Sequence, residues 1–158
     1  PNNAFSPVVL DGSLTYTMES FPFYAGSFPI RVGGEYAHNT SAASRGQAYV
    51  ATLALGKSGK RGTWDLLYRY KNLEANYWFE ELVDSDHGAF YQVASPNSSG
   101  TGYGAGTNIR GHYMRGSYSL TDAFTVAATY YLFDLIDRPA GAASSQVGRV
   151  QIDAIFKF

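Results

Sequence analysis

The segment Val147 to Phe158 constrains this chain more than any other. Val150, Ile152, Ala154, Phe156 and Phe158 fall on one parity, and Arg149, Gln151, Asp153 and Lys157 on the other, with Ile155 alone out of place. A period of two sends those sets to opposite faces of a β-strand. The strand is apolar on one side and charged on the other, and the sequence ends on an aromatic.

A terminal strand of this kind resembles the closing strand of bacterial outer-membrane β-barrels. In that group Phe156 and Phe158 would be the aromatic signal read by the barrel-assembly machinery. The expectation is lipid against the apolar face and a water-filled lumen against the charged one. The alternative is a soluble β-sandwich, in which the apolar face covers a core. Composition agrees with the barrel. Of the residues, 45% are apolar and 16% aromatic, with 13 Tyr and 10 Phe, yet mean hydropathy is −0.20. No window approaches the roughly 18 consecutive apolar residues of a spanning helix. A strand shows lipid only every second residue, so a slightly negative mean is compatible with a membrane wall. A net charge of −1 argues against a nucleic-acid footprint, which would need a clustered basic excess. With no Cys there is neither a disulfide framework nor a thiolate metal site. No signal peptide is present, and the start at Pro1 implies a mature or truncated chain.

Seven strands and no long helix are expected, in an all-β antiparallel arrangement. The first, Val9 to Glu19, sets Asp11, Ser13, Thr15 and Thr17 against Leu14, Tyr16 and Met18. The second, Pro29 to Asn39, sets Arg31 and Glu35 against Ile30, Val32 and Tyr36. The third, Gly46 to Leu55, carries Tyr49, Leu53 and Leu55 opposite Thr52 and small residues. The fourth alternates Trp64, Leu66, Tyr68 and Tyr70 with Asp65, Arg69 and Lys71. In the fifth, Thr107 to Ser119, Arg110, His112 and Arg115 do not share a parity, so a bulge is expected. The sixth runs from Ala123 to Leu135, and the seventh is the closing strand.

Connection lengths orient the wall. Barrels of this class have short periplasmic turns and long external loops, and end in the periplasm. Counting back, Leu135 to Gln146 is external, Leu120-Thr121-Asp122 is a tight periplasmic turn, residues 74–106 form a long external loop, and Gly56 to Lys60 is periplasmic. Seven is an odd number, whereas single-chain bacterial barrels are even. Residues 1–158 are therefore expected to be part of one barrel domain. Either they are the C-terminal portion of a larger barrel of roughly 16 strands, or an eight-stranded barrel in which one strand is poorly patterned.

Several ordered blocks resemble a porin family of Gram-negative outer membranes. They are Gly56-Lys57-Ser58-Gly59-Lys60-Arg61-Gly62-Thr63-Trp64 with Tyr68-Arg69-Tyr70-Lys71, then Phe79-Glu80-Glu81-Leu82-Val83-Asp84-Ser85-Asp86. Further on come Gly106-Thr107-Asn108-Ile109-Arg110-Gly111-His112, Leu120-Thr121-Asp122 and Val147-Gly148-Arg149-Val150-Gln151-Ile152-Asp153-Ala154. The resemblance covers residues 28–158 and implies a longer protein with this chain as its C-terminal part. It implies an outer-membrane location, a bilayer containing lipopolysaccharide, and small hydrophilic solutes as cargo. Porins commonly trimerise, though no residue here determines a homotrimer. The resemblance carries over no catalytic residue.

Candidate pore-lining residues follow from the charged parity: Arg31, Glu35, Asp65, Arg69, Lys71, Arg110, Arg149 and Asp153, with Asp11, Glu19 and Lys157 beside them. Mixed charge of this kind either lines a passage and sorts solutes or forms cross-strand ion pairs within the wall. Because the signs nearly balance, no strong ion preference is expected. Tyr16, Tyr36, Trp64, Tyr68, Phe124, Tyr130 and Phe156 lie on the apolar parity, suited to the headgroup belts.

Three other patterns have plainer readings. Asp84 and Asp86, after Glu80 and Glu81, could offer oxygens to Ca²⁺, but the EF-hand spacing is missing; the plainer reading is a solvated acidic loop, or one pairing with basic groups at the barrel mouth. Residues 75–83 could form a short helix folding into the lumen. His112 with Ser117 and Asn108 is a conceivable catalytic set, yet His112 and Ser117 differ in parity and no nucleophile motif surrounds them. The expectation is a passive diffusion channel, neither enzymatic nor cofactor-dependent. The alternative is a non-conducting structural or anchoring barrel within a larger complex.

Overall fold

The computed structural model describes residues 5–79, 106–138 and 145–158. Seven antiparallel strands lie in one sheet in chain order: β1 (Pro7–Met18), β2 (Phe28–Asn39), β3 (Gln47–Gly56), β4 (Trp64–Leu73), β5 (Ile109–Ser119), β6 (Phe124–Leu135) and β7 (Val147–Phe156). The described residues contain no helix, and those at 75–79 of the expected lumen helix form turns and bends. Each strand pairs with the next along an unbroken register. The sheet is open, because β1 and β7 each have one neighbour.

Directly paired residues share a face, so the register assigns every side chain to one of two surfaces. One row, Tyr16–Ile30–Leu55–Leu66–Gly116–Ala128–Ile152, crosses all seven strands without a polar side-chain group other than the Tyr16 hydroxyl. A row on the opposite face reads Ser13–Gly33–Thr52–Arg69–Tyr113–Tyr131–Arg149. Burial is inverted relative to a soluble sheet. Leu14 is 73% exposed and Ile152 75%, whereas Thr129 is 3% and Ser117 5%. The apolar face meets the surroundings, and the polar face is the sheltered one.

Side chains reach across the sheltered face, which marks it as the concave side. Arg45, between β2 and β3, pairs with Asp137, after β6. At the other end the Lys157 ammonium lies 3.5 Å from the Gly59 carbonyl oxygen, linking the chain after β7 to the β3–β4 turn. Near the Arg45 end the concave face is itself apolar: Ala48, Leu73, Ile109, Tyr131, Phe133 and Leu135 form a buried cluster. The strict alternation of β6 lapses there, with large side chains on both faces.

The connections differ by end. The chain leaves β1, β3 and β5 at one end of the sheet, and β2, β4 and β6 at the other. The last four connections alternate short and long as expected, while the first pair does not, since 19–27 is longer than 40–46. The reason is aromatic packing. Phe21 stacks on Phe28 at 4.1 Å, Tyr24 meets Phe28 edge-on at 5.0 Å, and Trp64 lies 5.1 Å from Phe28. The Tyr24 hydroxyl donates to the Lys57 carbonyl at 2.8 Å, and the Trp64 indole N–H to the Phe23 carbonyl at 3.1 Å. Gly56 ends β3 beneath this cluster at φ +69°, and a Cβ there would stand 2.3 Å from the Trp64 carbonyl oxygen, so only glycine fits.

Candidate functional site

The concave face gathers most of the charged residues expected to line a passage. Arg31 and Glu35 project from β2, Asp65, Arg69 and Lys71 from β4, and Arg149 and Asp153 from β7, all on that face. Asp11 of β1 faces Glu35 directly. Two of the carboxylates have local partners. Asp65 accepts the Ser58 backbone N–H at 3.0 Å, tying the β3–β4 turn inward, and Asp153 accepts the Gln151 amide at 3.0 Å. The Arg149 guanidinium sits 5.5 Å from the centre of the Tyr131 ring, a cation–π contact.

Arg110 departs from the expectation. Its register partners are Asn72 and Asp134, and it shares the apolar face with Tyr70 and His112. The ladder from Ile109 to Ser119 runs without a bulge, so parity along β5 is set by Ser117 and Ser119, both buried on the concave side. That parity carries Arg115 inward, a polar-face cation that sequence reasoning left unassigned. The signal was present in the alternation of Tyr113, Arg115, Ser117 and Ser119, but Arg110 and His112 lie on the other parity from Arg115. Arg110 stands where β5 begins, at the rim of the apolar face.

The ion pairs between described residues, Arg45–Asp137 and Arg138–Asp134, both lie at strand ends. No described ion pair joins Asp11, Arg31, Glu35, Asp65, Arg69 and Arg115 to one another, so these charges do not act as cross-strand clasps. The Arg69 Nε–H is sealed from solvent without an acceptor among the described residues. A buried donor left in that state costs about 1–3 kcal/mol until something accepts it.

The segment after β4 folds over the concave side. Gln47 N–H donates to the Glu74 carboxylate at 2.8 Å, and Glu74 N–H to the Gln47 carbonyl at 3.0 Å. Buried Asn39 accepts from the Ser6 and Ser41 N–H groups and donates to the Asn76 carbonyl at 2.8 Å. Tyr77 packs against the apolar cluster. Its phenol is pushed up to about 12, first by burial and then by the Glu35 carboxylate. Phe79 ends the crossing with its ring 4.0 Å from that of Phe5.

The remaining candidates separate. His112 Nδ1 is hydrogen-bonded to the Tyr68 hydroxyl at 2.8 Å on the apolar face, while the Ser117 hydroxyl donates to Ser58 at 3.0 Å on the concave face. The sheet stands between them. Phe156 stacks on Phe124 at 4.6 Å on the apolar face, and Phe158 beyond it is exposed. Asp84 and Asp86, with most of the 74–106 loop, lie outside the described residues. Among the described residues no three His, Asp or Glu side chains gather closely enough to hold a metal ion. No family model, curated protein or solved structure matches this chain.

Proposed function

We propose that this chain forms part of the wall of an outer-membrane β-barrel whose polar face lines a water-filled channel for small hydrophilic solutes. The inverted burial carries the reading. A broad apolar surface turned outward has no stable place in water, since soluble monomers rarely expose patches above a few hundred Å². It fits a bilayer. Strand length agrees, because strands of 10 to 12 residues run about 33–40 Å at ~3.3 Å per residue. Tilted as barrel strands are, they rise about 25–30 Å, the thickness of the hydrocarbon core. Aromatic residues gather where headgroup belts would lie, with Phe21, Tyr24 and Trp64 at one end and Tyr49 and Tyr70 toward the other.

Passage through such a wall needs no cofactor, only a gradient. The test is single-channel conductance of the full-length protein in a planar bilayer. Stable ohmic steps in simple salt are the expected result, and silence from correctly folded protein would overturn it. One observation favours a second reading, a structural barrel with an obstructed lumen: Tyr77 and its neighbours fold across the concave face rather than away from it. Silence would make that the better account.

A further inference from the structure

We propose that the concave face carries an oxyanion-binding stripe centred on Arg69 and Arg115, which makes small phosphate- or carboxylate-bearing solutes the preferred cargo. The inference rests on reading this face as a channel wall, and it replaces the neutrality suggested by counting charges with their positions. Arg69 pairs with Tyr113, and Arg115 lies two residues further along β5 on the same face. The two guanidiniums are therefore diagonal neighbours, about 7 Å apart at Cβ. Lys71 lies two residues from Arg69 along β4, again about 7 Å away on the same face. Arg31 on β2 and Arg149 on β7 extend the cationic surface to either side.

Of the carboxylates of this face Asp65 comes nearest, since it pairs with Ser117 diagonally from Arg115, and its oxygen accepts the Ser58 N–H rather than an arginine. Asp153 accepts from the Gln151 amide. Asp11 and Glu35 oppose each other on β1 and β2, with β3 between them and β4. Among the described residues neither Arg69 nor Arg115 has a carboxylate within ion-pairing distance, and the Arg69 Nε–H lacks an acceptor. Adjacent like charges on a sheltered, curved wall repel one another, and an anion in the groove relieves the repulsion. A guanidinium presents a planar fork that matches two oxygens of a carboxylate or phosphate. The hydroxyls of Thr52, opposite Arg69, and Thr129, opposite Arg115, stand alongside. Rings of Arg and Lys are how pores select anions, and a cleft lined by one sign of charge concentrates the opposite ion.

The experiment uses the full-length protein in planar bilayers and reads the reversal potential in a KCl gradient. Chloride is expected to be favoured over potassium by roughly tenfold. R69Q/R115Q should bring the ratio close to parity, while R69K, which keeps the charge, should hold it. A conducting wild type that is unselective or prefers potassium would overturn the proposal, as would an unchanged preference in R69Q/R115Q. If no channels open, the channel reading fails, and inorganic phosphate titrated into the detergent-folded protein decides the stripe. Saturable binding that R69Q/R115Q abolishes supports it, and the absence of binding by the wild type overturns it. Should the double variant not fold, R115Q alone is scored by the same two readouts.

Discussion

The two faces of the sheet are built from the same strands, residue by residue in alternation, yet they obey opposite rules. On the convex face apolar side chains are exposed and make few specific contacts, and Phe28, at 1% exposure, is the one sealed by the protein itself. On the concave face polar side chains are sheltered, and Ser119, Thr125, Asp65 and Ser117 are engaged in particular hydrogen bonds. The difference teaches that hydrophobic patterning here specifies which surroundings each face meets, while uniqueness comes from the polar side and from the two rims. A soluble protein would divide those tasks the other way round.

Four tests would break or sharpen that contrast. The largest effect is expected for Phe28→Ala, because Phe28 packs against Phe21, Tyr24 and Trp64 rather than against surroundings that can refill the gap. Such a truncation costs about 3–5 kcal/mol, read as a lower midpoint of urea unfolding in lipid vesicles. Next come neighbouring substitutions on β7 that differ only in the face they address. Ile152→Arg should cost about 2–4 kcal/mol if that face meets lipid, whereas Gln151→Arg should stay within about 0.5 kcal/mol; equal costs would sink the assignment of faces. Asn39→Ala should cost about 1–3 kcal/mol, since it strips the Ser6 and Ser41 N–H groups and the Asn76 carbonyl of their partner, and proteolysis should then cut the 74–79 segment faster than the strands. The smallest effect concerns Tyr77. Its phenol is raised from 10.0 to about 12, so the neutral form is the one the fold favours. That contribution is complete below pH 10 and is lost as pH rises through 12. Alkaline titration should show a late-ionising tyrosine that Tyr77→Phe removes, and titration of every phenol at its ordinary value would contradict the inward packing of this segment.

Much of the fold was legible before the structure because a period of two is a local property. Strand ends fell within two residues of expectation throughout, and the parity of β1, β2, β4 and β7 followed from their charged residues. β5 was harder: Arg110, His112 and Arg115 straddle both parities, and only pairing with β4 and β6 revealed an unbulged ladder with Arg110 on one face and Arg115 on the other. The candidate site was legible as a set of charges but not as an arrangement. Nearly balanced signs suggested indifference to ion charge, whereas the register puts Arg69 beside Arg115 and holds Asp11 with Glu35 elsewhere.

The amino-acid sequence by itself determined the number of strands, their bounds and the amphipathic character of nearly all of them, because each of these is written within a few consecutive residues. Tertiary structure decided which face is sheltered, which charges are neighbours and where the rims are tied. Arg69 stands diagonally from Arg115, Arg45 meets Asp137 and Phe5 meets Phe79, all between residues far apart in the chain. No local pattern encodes such contacts, because strand pairing and the curvature of the whole sheet bring those residues together.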